Sequence, residues 1–298
     1  MHASSRSLLV ALVALAPLAP APPPAQTSPE PSGRPRVLIT NDNGIDDPKL
    51  VALARAFARR ADTWVVAPAE DRSGSSTYLV LPQTGSIAVE RRDLGPGIEA
   101  FAVDGYPADC VLVAIAGILR ERPPTLVVSG INGGPNLGAD WMFSGTIGAA
   151  RVAALAGFPA LAVSGLDDDV PGAVEAAVDW VVRFSEHRAV RAMEPGDYLT
   201  VSLPPGGPTE VSGVRIADRT PLRRGPSLGY DEAAGLWRIT GAATRDIEPS
   251  VLSDEELHAG GAVVVVPMHA DEVDHARLLE WTRSDPGLPP WRAEARKR

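Results

Sequence analysis

The chain has 298 residues with 37 acidic against 28 basic side chains, a formal net charge of −9, and one cysteine. With no basic block before the short tail RAEARKR, this balance excludes an electrostatic footprint for nucleic acid. It leaves room for a small phosphorylated ligand held by neutral donors and a cation. The lone Cys110, set in ADCVLVAIAGIL, excludes an internal disulfide and reads as a buried small hydrophobe.

Residues 1–25 read as a secretory signal, with Arg6 ahead of an apolar run from Leu8 to about Leu18. That run is too short, and too soon broken by Pro17 and Pro20, to span a membrane. Residues 26–35 continue as a Pro/Ala linker, so the mature protein is expected to be secreted or periplasmic, with no membrane contact beyond the signal.

RVLIT (36–40) is an apolar strand rich in branched residues. DPKLVALARAFARR (47–60) has helical spacing, with Asp46 or Asp47 as cap and Pro48 in the first turn. TWVVAP (63–68) is a second strand, which makes the opening the strand–helix–strand unit of a doubly wound parallel sheet. The polar loop AEDRSGSS follows. Short β-like runs, SIAVE and IEAFAVD, lie between residues 86 and 104, ahead of a helix over about 107–120. Then come the strand TLVVSG (125–130), a glycine-rich loop to about residue 143, the small-residue helix SGTIGAARVAALAG, the strand PALAVSG and a helix over about 171–187. There is no internal repeat. Beyond residue 190 proline and glycine become dense, and YLTVSLP, GVRIAD and LWRIT are expected as strands of extended hairpins. SDEELHAGGAVVVVPMH (253–269) reads as a short helix feeding a buried strand, and 271–283 as an amphipathic helix that could pack on this chain or on a partner. The expectation is an α/β doubly wound core over 36–190, with residues 191–298 adding a β-rich extension, a final core strand and a C-terminal helix to the same domain.

In an open parallel sheet, ligands bind outside the carboxyl ends of the strands near the switch point. Three strands end in unusual polar text: TNDNG, EDRSGSS and SGINGGPNLG. Each alone is ordinary turn vocabulary; three on one edge point to a site. Their donors are oxygen-rich, without cysteine or histidine, which suits Mg²⁺ or Mn²⁺ better than zinc. Ser144–Thr146, opening a helix, offers a dipole and two hydroxyls to a phosphate. No G-x-x-x-x-G-K-[ST] loop, no G-x-G-x-x-G after the first strand and no G-x-S-x-G elbow is present. His187, His258, His269 and His275 are remote in sequence from the polar loops, which leaves a serine esterase built on Ser73 or Ser144 without a base. His269 follows a strand and reads as a cap or surface residue, with approach to the site as the alternative. Trp141 and Phe143 flank the last loop, and either could stack on a base or pack in a core or interface.

VLITNDNGIDDPKLVALARAF, VVAPAEDRSGSS, AVDGYPADCV and LVVSGINGGPNLGADWMFSGTIGAARVAALAGFPALAVS together resemble the SurE (survival protein E) family of 5′/3′-nucleotidases, in order and spacing, over about residues 36–165. The resemblance implies a metal-dependent phosphomonoesterase acting on nucleoside monophosphates, with a Rossmann-like core and a β-hairpin extension used in homodimers or homotetramers. Position by position, it implies one divalent metal ion on Asp42, Asn43, Ser73 and Asn132, with Asp42 also catalytic, and phosphate near Asn136, Ser144, Gly145 and Thr146. Two positions depart from the family's pattern: Asn43 replaces the second acid of N-D-D-G, and Thr77 stands where a histidine is usual. An amide oxygen can ligate a cation but brings no charge, so the alternative is a catalytically impaired nucleotide- or phosphate-binding relative.

Overall fold

The computed structural model describes residues 33–166, 169–220, 223–224, 227–241, 244–245, 252–273 and 275–283. The expected signal and all but the end of the linker lie outside these residues.

Strand β1 (Arg36–Thr40) is buried from Val37 to Thr40, which is why it reads as a continuous apolar run rather than an alternating one. Next come α1 (Pro48–Ala58), β2 (Asp62–Pro68), the short α2 (Leu81–Thr84), β3 (Val89–Arg92) and β4 (Ile98–Val103). Helix α1 starts at Asp47, which accepts from the N–H groups of Lys49 (2.8 Å) and Leu50 (3.1 Å), with Pro48 at the first helical position. Helix α3 (Pro107–Val113) widens into one π-wound turn, Ala114–Ile118, before β5 (Leu126–Asn132), α4 (Gly145–Leu155), β6 (Ala160–Ser164) and α5 (Ala173–Ser185). The second half adds α6 (Arg188–Arg191), β7 (Asp197–Ser202), β8 (Gly213–Ile216), β9 (Arg223–Arg224), β10 (Ser227–Asp231), β11 (Leu236–Gly241) and β12 (Thr244–Arg245). It closes with α7 (Asp254–Ala259), β13 (Ala262–His269) and α8 (His275–Arg283).

Nine strands form one sheet in the order β3-β4-β2-β1-β5-β6-β7-β13-β8. From β4 to β7 every neighbouring pair is parallel, while β3 and β13 run antiparallel to β4 and β7. Helices α1 and α5 pack on one face of the sheet and α3 and α4 on the other, each over its own apolar cluster. This is a mostly parallel, doubly wound α/β fold. The chain builds outward from β1 to β2 and β4, then returns to β5 and builds the other way. The switch point is therefore the crevice between the carboxyl ends of β1 and β5. Among the described residues no helix is long and apolar enough to cross a membrane.

Beyond residue 190 the sheet takes up β7 and β8 as well as the final core strand expected there. YLTVSLP and GVRIAD were expected in extended hairpins, but β7 pairs with β6 and β13, and β8 lies parallel to β13 at the sheet edge. The reason is burial: β7 is buried from Tyr198 to Ser202 and β13 from Ala262 to Val266, so both have two faces to cover. Of the three segments only LWRIT, in β11, forms a hairpin, with β10, and it leaves Leu228, Tyr230, Leu236, Trp237 and Ile239 exposed.

Candidate functional site

The turn after β1 divides its polar residues between structure and chemistry. Asn41 is fully buried; its Nδ2 donates to the Gly44 carbonyl (2.9 Å) and its Oδ1 accepts the Gly44 N–H (3.2 Å), closing the turn. Gly44 has φ +105°, and a Cβ there would lie 3.2 Å from the Glu70 carbonyl carbon, so the β1 turn lies against the loop after β2. The Arg72 N–H donates to the Asp42 carbonyl (2.7 Å), tying the two loops together.

Asp42, 3% exposed, points its carboxylate at the start of α4. Its Oδ1 accepts the Thr146 hydroxyl (2.6 Å) and its Oδ2 the Thr146 N–H (3.0 Å). Burial raises its pKa above the ordinary 3.8, the Thr146 hydrogen bonds pull it back down, and the nearby Asp71 charge adds a smaller push upward. Gly145 makes the approach possible: a Cβ there would lie 2.8 Å from Ser75 Oγ, 2.9 Å from Asp42 Cβ and 3.0 Å from Asp42 Oδ2. A Cβ at Gly148 would run into the Ser76 carbonyl, and the Ser76 N–H donates to Phe143 O (3.1 Å), so the loop after β2 lies across the first turns of α4.

The other residues implied as ligands carry oxygen acceptors that no donor among the described residues is seen to use. Asn43 Oδ1 is buried without a hydrogen-bond partner. Ser73 donates its hydroxyl to Asp71 Oδ1 (2.7 Å), which leaves the lone pairs of Oγ available. Asn132, the last residue of β5, donates Nδ2 to the Gly134 carbonyl (2.7 Å), leaving Oδ1 as its open atom. All four residues implied as metal ligands thus stand at, or in the loops that follow, the carboxyl ends of β1, β2 and β5. Among the described residues no group of three or more His, Cys, Asp and Glu side chains could hold a metal, so amide and hydroxyl oxygens form most of this donor set.

The residues implied for phosphate are placed less uniformly. Ser144 caps α4, its Oγ accepting the Ile147 N–H (3.1 Å) and its O–H remaining free to donate. Thr146 spends both donors on Asp42 and orients that carboxylate. Asn136 donates Nδ2 to Ser164 Oγ (2.7 Å) at the end of β6, which fixes it over the same sheet edge. Of the two aromatics, Trp141 is partly buried in the core with the Arg151 guanidinium 5.9 Å from its ring centroid, whereas Phe143 is 63% exposed.

Three charges, the buried Asp254 and Asp109 and the partly buried Arg219, support the site, and little in the local sequence marks them. Arg219 donates to the Asn136 carbonyl (2.8 Å), to Thr200 Oγ1 (2.6 Å) and to Asp254 Oδ2 (3.0 Å). Asp254, fully buried, also accepts from Gly138 N–H (2.8 Å) and from the N–H (2.9 Å) and hydroxyl (2.8 Å) of Thr220. Burial lowers the Arg219 pKa from its ordinary value and the Asp254 charge opposes that fall. Asp109 accepts from the N–H groups of Val80, Leu81 and Tyr106, holding the segment that follows Thr77. The only advance signal was an acid in the first turn of two short helices, which is ordinary helix chemistry.

The histidines are elsewhere. His269 pairs in register with Asp197 at the start of β7, the opposite edge of the sheet from the site. His187 caps α6, and His258 Nε2 lies 2.8 Å from the Leu203 carbonyl. None of these three side chains is hydrogen-bonded to Ser73 or Ser144, so among the described residues neither serine has a histidine base.

These features define a doubly wound α/β protein with an oxygen-lined polar site at its topological switch point, under the N-terminus of a helix. The family model described as Survival protein SurE matches residues 37–224, and the chain belongs to the SurE family. The 5'-nucleotidase SurE of Sorangium cellulosum (strain So ce56) is 39% identical over 248 residues, which cover 80% of this chain and 91% of that protein. The 5'/3'-nucleotidase SurE of Edwardsiella ictaluri (strain 93-146) is 34% identical over 271 residues, 86% of this chain and all of that one. The crystal structure of the SurE protein from Aquifex aeolicus superposes with a TM-score of 0.69 at 27% identity, covering 84% of this chain and 99% of the other.

Proposed function

We propose that this protein hydrolyses nucleoside monophosphates to nucleoside and phosphate with one divalent cation, Mg²⁺ or Mn²⁺, held by Asp42, Asn43, Ser73 and Asn132. The observation that carries the proposal is the buried, unpartnered Oδ1 of Asn43 beside a carboxylate already fixed by two donors. A buried acceptor without a donor is costly unless something else satisfies it, and hard cations take oxygen ligands of this kind. The relatives named as 5'-nucleotidases support the substrate class.

When bound, the cation supplies positive charge that polarises the phosphoryl group and acidifies water. Asp42, held rigid by Thr146, orients the attacking water and accepts its proton. Ser144, through its free O–H, and the glycine-bearing start of α4 stabilise charge on the phosphoryl oxygens, with the helix dipole adding to them. Asn136, on the loop that Arg219 and Asp254 fix, adds an amide at the same sheet edge. Exposed Phe143, next to Ser144, gives the nucleobase a face to stack on.

A second reading follows from Asn43 itself. With one carboxylate fewer on the β1 turn, the protein could bind nucleotide or phosphate without turning it over. Phosphate release from 5'- and 3'-nucleoside monophosphates, in Mn²⁺, Mg²⁺ or EDTA, separates the two. Cation-dependent release supports the enzyme. No release with any ion, from folded protein that still binds nucleotide, overturns it in favour of the binding reading.

A further inference from the structure

We propose that Asp71 supplies the second negative charge of the cation site, acting through Ser73 rather than as a direct ligand. The proposal rests on the divalent-cation reading above and makes Asp71 a positioning residue. The β1 turn carries one carboxylate, Asp42, because its neighbour Asn43 contributes a neutral oxygen. The compensating charge comes from the adjoining loop. Asp71 Oδ1 accepts both the hydroxyl (2.7 Å) and the N–H (2.8 Å) of Ser73. A hydroxyl that donates to a carboxylate gains electron density on its oxygen and has its lone pairs aimed, so Ser73 becomes a stronger and better oriented oxygen donor.

Asp71 is also held close to the β1 turn. A Cβ at Gly44 would lie 3.5 Å from the Asp71 nitrogen, and the next residue donates its N–H to the Asp42 carbonyl (2.7 Å). Arg72 does not neutralise Asp71: its guanidinium lies 3.5 Å from Asp104 Oδ1 and 5.3 Å from the Tyr106 ring centroid. Two carboxylates on two tied loops, with the unpartnered Asn43 Oδ1 on one loop and the oriented Ser73 hydroxyl on the other, offer a cation both charge and oxygen ligands.

Asp71→Asn keeps an acceptor for Ser73 and removes only the charge. Mn²⁺ is titrated into chelator-stripped protein by electron paramagnetic resonance and calorimetry, for wild type, Asp71→Asn, Asn43→Asp and the double variant. The expected result is a Mn²⁺ affinity about 10- to 100-fold weaker in Asp71→Asn, the range for residues that support metal ligands. Its melting temperature in EDTA should not change. Moving the charge onto the β1 turn, in Asn43→Asp/Asp71→Asn, should restore affinity to near wild type. Wild-type affinity in Asp71→Asn overturns the proposal, and so does a loss that the double variant fails to recover, because Asp71 would then act only by shaping the loop. Binding by Asn43→Asp but not by wild type also overturns it, while leaving the cation site standing. Binding by no variant overturns the cation reading itself.

Discussion

Replacing Gly145 with alanine puts one methyl group between the start of α4 and Asp42. The new Cβ would lie 2.9 Å from Asp42 Cβ, and ordinary carbon contacts sit at about 3.5–4.0 Å, so a gap of about 0.6–1.1 Å must open. Ser75 Oγ, 2.8 Å away, closes the other direction of escape. The backbone at Gly145 is not in the left-handed region, so the effect is steric. Overpacking of this kind costs about 1–3 kcal/mol, and alanine's better helix propensity returns less than about 1 kcal/mol at a first helical position. The net loss of stability should be about 1–2 kcal/mol by urea unfolding. Activity should suffer more, because a displacement near 1 Å of a reacting group costs on the order of 100-fold in rate. Phosphate release measured as kcat/KM, beside the unfolding curve, checks both numbers. Wild-type kcat/KM in Gly145→Ala would refute the idea that close approach of the helix start sets the position of Asp42.

Arg219→Met should destabilise the protein by about 3–5 kcal/mol, because it leaves the fully buried Asp254 without its cation; a urea midpoint equivalent to less than 1 kcal/mol would contradict this. In EDTA, the raised folded pKa of Asp42 means that its contribution to stability is complete below 3.8 and is lost as pH rises through the folded value. Wild-type stability minus that of Asp42→Asn should therefore decline as pH rises from below 3.8, and a flat difference would exclude the shift. The β10–β11 hairpin exposes Trp237 and Ile239, 67% and 72%, more apolar surface than a lone hairpin leaves in water. We therefore propose that the protein is a dimer or tetramer, and that Trp237→Glu with Ile239→Glu shifts it to monomer by light scattering; an unchanged mass would clear the hairpin of that role.

What the sequence revealed was whatever is encoded locally. VLIT and TWVVAP announce buried parallel strands by unbroken apolar text, and Asp47-Pro48 announces a helix start. The three polar loops could be placed on one sheet edge because parallel strands all end on the same side. What stayed hidden depends on long-range pairing. YLTVSLP has no local feature that tells an inner sheet strand from a hairpin strand; its partners lie in β6 and in β13, the latter more than sixty residues on. Arg219 meets the Asn136 carbonyl across 83 residues, and no spacing rule announces such a contact. Asn41 and Asp42 look equivalent in the text, yet one closes a turn and the other faces the helix, because only Asp42 lies where Gly145 leaves room.

Anomalous diffraction at the manganese edge, from crystals grown with Mn²⁺, tests the site most directly. The predicted result is one strong peak bonded to Asn43 Oδ1 and to oxygens of Asp42, Ser73 and Asn132. A peak that leaves Asn43 Oδ1 unligated, or no peak at the switch point in protein that binds Mn²⁺ in solution, would contradict the assignment.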